Sequence, residues 1–155
     1  MKLSELLREG QVLTGFQARD KWDALARIAD ALVAQGPGPA ARRGAVLEAL
    51  VAREKVASTG MEFGVALPHA PVDGIEEALG VLALSPQGVP FQSADGLPAR
   101  ILVALVIPKP DVQRHIPTLA GIARLLSYEE LREALLRARA PREVLQILRA
   151  EEQRA

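Results

Sequence analysis

The chain of 155 residues carries 19 basic and 19 acidic side chains, no cysteine and two histidines, His69 and His115. Without a thiol there is no disulfide framework, thiolate zinc site, iron–sulfur cluster or cysteine nucleophile. A net charge of zero, with bases scattered among acids, gives no electrostatic footprint for nucleic acid. The length suits one domain, 1–155, and 49% apolar residues suffice for one covered core. The N-terminus, Met1 to Glu9, has charges where a signal peptide needs its apolar run, and no stretch approaches the roughly 18 apolar residues of a membrane span. These features lead to the expectation of a cytoplasmic protein with no direct membrane insertion.

A short helical start is expected around Leu3 to Arg8, then a brief strand over Gln11 to Phe16. Asp20 is placed to cap a helix whose apolar stripe is Trp22, Leu25, Ile28, Ala29, Leu32 and Val33, with Gly36 as its stop. Gly36-Pro37-Gly38-Pro39 forms a turn, and a second helix from about Ala41 to Glu54 buries Val46, Leu47, Leu50 and Val51. Arg53 falls in its last turn, a favourable place for a cation. A glycine-bearing loop, Lys55 to Gly64, leads to the apolar run Val65-Ala66-Leu67, which Pro68 stops, so that His69 lies just past a strand end.

Leu79 to Leu84 and Ile101 to Ile107 are continuous apolar runs, the pattern of strands covered on both faces, with a turn-rich excursion from Ser85 to Pro98 between them. Pro117 fits the first turn of a helix reaching Leu126, with Leu119, Ile122, Ala123 and Leu126 inward and His115 at its start. Ser127-Tyr128-Glu129-Glu130 has the spacing of a capping box, and Pro141 opens a last helix with Val144, Leu145 and Leu148 inward. Helices before, between and after apolar strands make an α/β domain with a covered sheet.

The motifs of nucleotide hydrolysis, dinucleotide redox chemistry, zinc proteolysis and serine hydrolysis are absent from the sequence. Neither histidine has a second histidine or a cysteine at helical spacing, so no metal and no cofactor are expected. His69, at a sheet margin behind a loop, sits where α/β proteins place reactive groups, although an ordinary half-buried histidine would look the same. An imidazole that accepts a phosphoryl group needs cationic donors around the phosphoryl oxygens, and an arginine with a second imidazole supplies them.

The stretch Arg53-Glu54, Ser58-Thr59-Gly60, Gly64-Val65-Ala66-Leu67-Pro68-His69 closely resembles the phosphorylation-site signature of the fructose/mannitol/nitrogen-regulatory class of enzyme IIA in the bacterial phosphotransferase system. His115-Ile116, Leu119-Ala120 and Ile122-Ala123-Arg124-Leu125-Leu126 look like that family's second histidine and its helix, and Lys21 to Leu32 is similar to its first amphipathic helix. The resemblance covers roughly Leu3 to Leu148 and implies a single domain with a mixed β-sheet covered by helices on both faces.

It implies a phosphocarrier in which His69 accepts a phosphoryl group from an HPr-type protein and yields it to a cysteine of an enzyme IIB. Arg53 and His115 would hold the phosphoryl oxygens, with Ser58, Thr59, Gly60, Glu62 and Gly64 in the site loop. The isolated domain leans slightly toward the nitrogen-regulatory type, with a regulatory target as partner. The family's loop usually reads Gly-x-Gly-x-Gly, whereas Glu62 stands here at the middle glycine. A carboxylate aimed at the site from about 8 Å would cost about 2 kcal/mol per unit charge at an effective dielectric near 20. Glu62 is therefore expected either to face away or to tune the site. Met61 and Phe63 are candidate partner contacts or anchors of the loop. Two other functional classes compete: a non-transporting binding module governed by the state of His69, and a metal-dependent hydrolase built on the two histidines.

Overall fold

Two long apolar strands organise the molecule, whose computed structural model describes residues 1–34 and 42–154. The strands are β1 (Val12–Leu13), β2 (Val65–Ala66), β3 (His69–Val72), β4 (Leu79–Val89) and β5 (Ala99–Pro108). The helices are α1 (Lys21–Val33), α2 (Arg43–Val56), α3 (Ile116–Leu125), α4 (Glu129–Arg137) and α5 (Pro141–Arg154). One mixed sheet runs β1-β4-β5, with β2 and β3 both on the far side of β5; β4 and β5 are antiparallel and the other pairs parallel.

The continuous apolar runs follow from a sheet buried on both faces. Val81 and Ala83 of β4, with Leu102, Ala104 and Val106 of β5, pack against α1 and α2. Leu82, Leu84, Ile101, Val103, Leu105 and Ile107 alternate with them and pack against α3, α4, α5 and the N-terminal turns. Alternation along the pleat thus divides the side chains between two apolar layers.

β2 and β3 form one strand with a break. Val65 pairs with Ile101, Ala66 with Leu102, His69 with Leu105 and Ala70 with Val106, so the offset is unchanged across Leu67-Pro68. Proline has no N–H to offer the ladder, but its carbonyl accepts from Leu105 N at 3.0 Å and keeps the register. His69 therefore lies past the end of β2, as expected, and is also the first residue of β3.

The structure corrects several local expectations. The start expected as one helix is two 3₁₀ turns, Leu3–Leu6 and Glu9–Gln11, and Ser4 ties it to Glu152 of α5 through its amide and hydroxyl. The strand expected over Gln11 to Phe16 shrinks to β1, because the chain turns at Gly15 with φ of 64°. Asp20 does cap α1, accepting from Asp23 N at 2.8 Å. Trp22, however, is 42% exposed, and Lys21 takes the buried place on the stripe with Ala24, Leu25, Ile28, Ala29, Leu32 and Val33.

The expected stop at Gly36, the turn 36–39 and the start at Ala41 lie outside the described residues. Helix α2 runs on to Val56 and shortens the site loop, with Val46 and Leu50 buried and Leu47 and Val51 partly so. β4 continues to Val89 through a bulge after Leu84, which leaves only 90–98 as the excursion. Helix α3 starts at Ile116 and buries Thr118 and Ile122, with Leu126 just beyond it. Ser127 does not cap α4: Tyr128 occupies the N-cap position, and Ser127 Oγ instead donates to Arg124 O and closes α3. That one-residue shift takes the serine out of capping register. α5 buries Val144, Leu145 and Leu148 as expected.

Candidate functional site

His69 is half-buried, and its register partner Leu105 belongs to the layer under α3, so alternation turns the imidazole to the α3 side. Ring Nδ1 lies 2.8 Å from the carbonyl oxygen of Leu67. A carbonyl only accepts, so Nδ1 carries the hydrogen, and in the neutral ring Nε2 keeps its lone pair. This contact determines the tautomer and the direction in which the Nε2 lone pair faces.

His115 ends the 3₁₀ turn Gln113–His115 and occupies the N-cap position of α3. It is buried, and its Nδ1 is 3.2 Å from Thr118 Oγ1, one turn into the helix, which leaves Nε2 as the second ring nitrogen. The two histidines thus belong to the same side of the sheet. Arg53 is on α2, packed on the opposite side, and its Nη1 donates to Ala57 O at 2.8 Å. Among the described residues no hydrogen bond or ion pair joins Arg53 to either histidine.

The loop nevertheless carries Arg53 toward His69. Residues 59–61 run antiparallel to 65–67: Leu67 N donates to Thr59 O at 3.0 Å, Gly60 bridges Ala66, and Met61 N donates to Val65 O at 2.7 Å. The loop start, where Ala57 holds the Arg53 guanidinium, therefore points to the His69 end of the strand. The tip, 62–64, lies at the other end. Glu62 is exposed there and lines a groove with Ala123, Leu126 and Ser127, beyond the C-terminal part of α3, whereas His115 marks the N-terminal end.

The other loop residues are fasteners. Ser58 Oγ donates to Phe91 O at 2.6 Å and accepts from Gly60 N and Lys21 Nζ. Thr59 is buried, its amide and hydroxyl donating to the two carboxylate oxygens of Glu54 at 2.8 and 2.6 Å. A Cβ on Gly60 would stand 2.8 Å from Ser93 Cα and 2.9 Å from Phe91 O, so only glycine fits between those backbones. Gly64 adopts φ of 74°, and its carbonyl accepts from Arg100 N and Ile101 N. Phe63 shares the left-handed conformation at φ of 64°, is 55% exposed, and has its ring under the Arg132 guanidinium at 4.8 Å. Asp95 Oδ2 accepts from Phe63 N at 2.8 Å; that bond, with a second from Leu97 N, holds the Asp95 carboxyl below the usual aspartate range.

Sequence reasoning missed Lys21 and Glu54. Lys21 Nζ meets Glu54 Oε1 at 2.8 Å, Gln92 Oε1 at 3.0 Å and Ser58 Oγ at 3.3 Å, and lies 5.0 Å from the centre of the Phe91 ring. The signal was present in the helical period: positions 21, 24, 25, 28 and 32 form a single stripe, and a lysine at its head requires a buried carboxylate. Among the described residues no group of three or more His, Cys, Asp or Glu is arranged to hold a metal ion, and no helix is long and apolar enough to cross a membrane.

Residues 5–151 match the family described as the phosphoenolpyruvate-dependent sugar phosphotransferase system, EIIA 2. The chain is 35% identical over 106 residues to the fructose-specific EIIA component of Haloferax volcanii, covering 68% of this chain and 69% of that one. It is 30% identical over 148 residues to a nitrogen regulatory protein of Bradyrhizobium diazoefficiens, covering 96% and 95%. The crystal structure of nitrogen regulatory protein IIA-Ntr from Neisseria meningitidis superposes with a TM-score of 0.83 at 28% identity, covering 94% of this chain and 98% of that one. A family match over residues 5–151 shows that the chain belongs to the EIIA 2 family of the sugar phosphotransferase system, as one of its phosphotransferase components.

Proposed function

We propose that His69 is the phosphoryl acceptor and that Nε2 is the atom that takes the group. The observation carrying this reading is the Nδ1–H bond to Leu67 O, which leaves the Nε2 lone pair as the nucleophile. The donor is an HPr-type phosphohistidine: as the Nε2–P bond forms, the donor's N–P bond breaks and its nitrogen recovers the electron pair. In the second transfer a thiolate of an enzyme IIB attacks the same phosphorus, and His69 leaves with its lone pair restored. Neither step needs a metal or a nucleotide on this chain, because in-line approach and positive charge around the transferring oxygens supply the catalysis.

His115 supplies a second imidazole from the N-terminal end of α3, where the helix dipole also favours an anion. Arg53 has one N–H on Ala57, and its remaining donors are available to phosphoryl oxygens. Passage to an enzyme IIB for uptake of a fructose-like sugar is one route. A nitrogen-type relay, in which the state of His69 sets affinity for a regulatory target, is the second, and the likeness to nitrogen regulatory proteins along almost the whole chain supports it.

The test is incubation with a phosphorylated HPr-type protein. An acid-labile adduct should form and should be absent from His69→Ala. An adduct that survives in His69→Ala, or no adduct with the cognate donor, overturns the assignment. Pull-down of partners with phosphorylated and unphosphorylated protein then separates the two routes.

A further inference from the structure

We infer that Lys21 and Glu54 are positioning residues for His69, acting through a continuous run of hydrogen bonds; the kinetic part of this inference rests on His69 being the acceptor. Both side chains are buried, with 5% and 0% of their surface exposed. Their contacts are complete: the ammonium spends its three donors on Glu54, Ser58 and Gln92. The carboxylate accepts from Lys21, from Thr59 N and from Thr59 Oγ1. A fully satisfied buried network of this kind specifies geometry more than it adds stability.

The run leads to the imidazole in three steps. Glu54 grips Thr59 at two points; Thr59 O accepts from Leu67 N at 3.0 Å; and Leu67 O accepts from His69 Nδ1 at 2.8 Å. Alternation along the strand turns the backbone groups of Val65 and Leu67 away from β5, and the loop strand takes them up instead. The orientation of the Leu67 carbonyl, and with it the tautomer of His69, therefore depends on the loop being held where Glu54 holds it. The ion pair joins α1 to α2, which makes the layer on one side of the sheet responsible for the imidazole on the other.

The test compares two double variants that both delete the ion pair. Lys21→Met with Glu54→Gln keeps an acceptor for Thr59 N, whereas Lys21→Met with Glu54→Leu keeps none. Imidazole nitrogen NMR shifts of His69, at a pH where the ring is neutral, are read in both and in the native protein. The expected result is a protonated Nδ1 in the native protein and in the glutamine variant, and mixed tautomers in the leucine variant. The kinetic counterpart is a fall of about tenfold in the rate of phosphoryl acceptance by the leucine variant, the lower end of what loss of an outer partner costs a metal-bound histidine, with KM for the donor unchanged.

Thr59→Val deletes one of the two contacts with Glu54 and serves if the leucine variant fails to fold. It should shift the His69 nitrogens in the same direction by a smaller amount. Native shifts in both the leucine variant and Thr59→Val overturn the inference. The NMR readout needs no donor protein, so an expected tautomer change alongside a native protein that forms no adduct would refute the acceptor assignment and leave the positioning role supported.

Discussion

Replacing Glu62 by glutamine should change the rate of phosphoryl transfer by less than twofold at physiological salt. Glu62 sits at the tip of the loop, its carbonyl accepting from Val65 N at 3.4 Å. From Val65 to His69 the strand advances about 13 Å, at about 3.3 Å per residue. Along the neighbouring helix, the Leu126 that lines the groove with Glu62 is about 16 Å from His115 at 1.5 Å rise per residue. An exposed carboxylate at about 13 Å in a water-like dielectric opposes each unit of phosphoryl charge by about 0.3 kcal/mol. A Debye length of about 8 Å at physiological salt lowers this below about 0.1 kcal/mol.

Glutamine is the right replacement because glycine would also loosen the backbone. The assay is the initial rate of adduct formation from a phosphorylated HPr-type donor, at physiological and at low salt. A tenfold acceleration by Glu62→Gln corresponds to about 1.4 kcal/mol and would refute the reasoning, because it requires the carboxylate to reach the site. The sequence expectation of about 2 kcal/mol assumed a separation near 8 Å. The antiparallel course of the loop moves the charge to the opposite end of the strand.

Removing the second imidazole with His115→Ala should slow phosphoryl acceptance by about a hundredfold, the usual loss for one donor to a developing anion, while circular dichroism stays native. Gly60→Ala should lower stability by about 1–3 kcal/mol in urea unfolding, since Ser93 and Phe91 backbone atoms occupy the space its methyl needs. Asp95 titrates below its ordinary value of 3.8 in the folded protein, so its stabilising bonds to the loop are fully present above that value. They are lost as pH falls through the lower folded value. The stability difference between native protein and Asp95→Asn should therefore be constant near neutrality and vanish on acidification; a difference that grows toward low pH contradicts the assignment.

The sheet was legible because its strands are buried on both faces, which writes Leu79 to Leu84 and Ile101 to Ile107 as unbroken apolar runs. The helices followed from their stripes, but the stripe of α1 was read one residue off at its head. Trp22 looks like core by composition, yet the buried position belongs to Lys21, whose cost is offset only by Glu54, a residue remote in sequence. Pairing of that kind has no local signature. Ser127 had the spacing of a cap and the wrong position relative to α4. Phe63 in a left-handed conformation is readable only once Asp95 is seen to hold its amide.

For the candidate site, the sequence offers the residues and the structure supplies their arrangement. The motif around His69 marked the imidazole, but the fact that β3 continues β2 in register across Pro68 is a property of pairing with β5. Arg53 and His115 were named from resemblance, and the structure gives them different situations. His115 opens a helix on the His69 side of the sheet, whereas Arg53 is on α2, which packs against β3 from the other side, and its guanidinium donates to Ala57 O.

The most direct test of the central claim is nitrogen and phosphorus NMR of the phosphorylated protein with labelled histidine. The account predicts one phosphoryl group, bonded to Nε2 of His69, with Nδ1 still protonated. A phosphoryl group on Nδ1, or on His115, would contradict it.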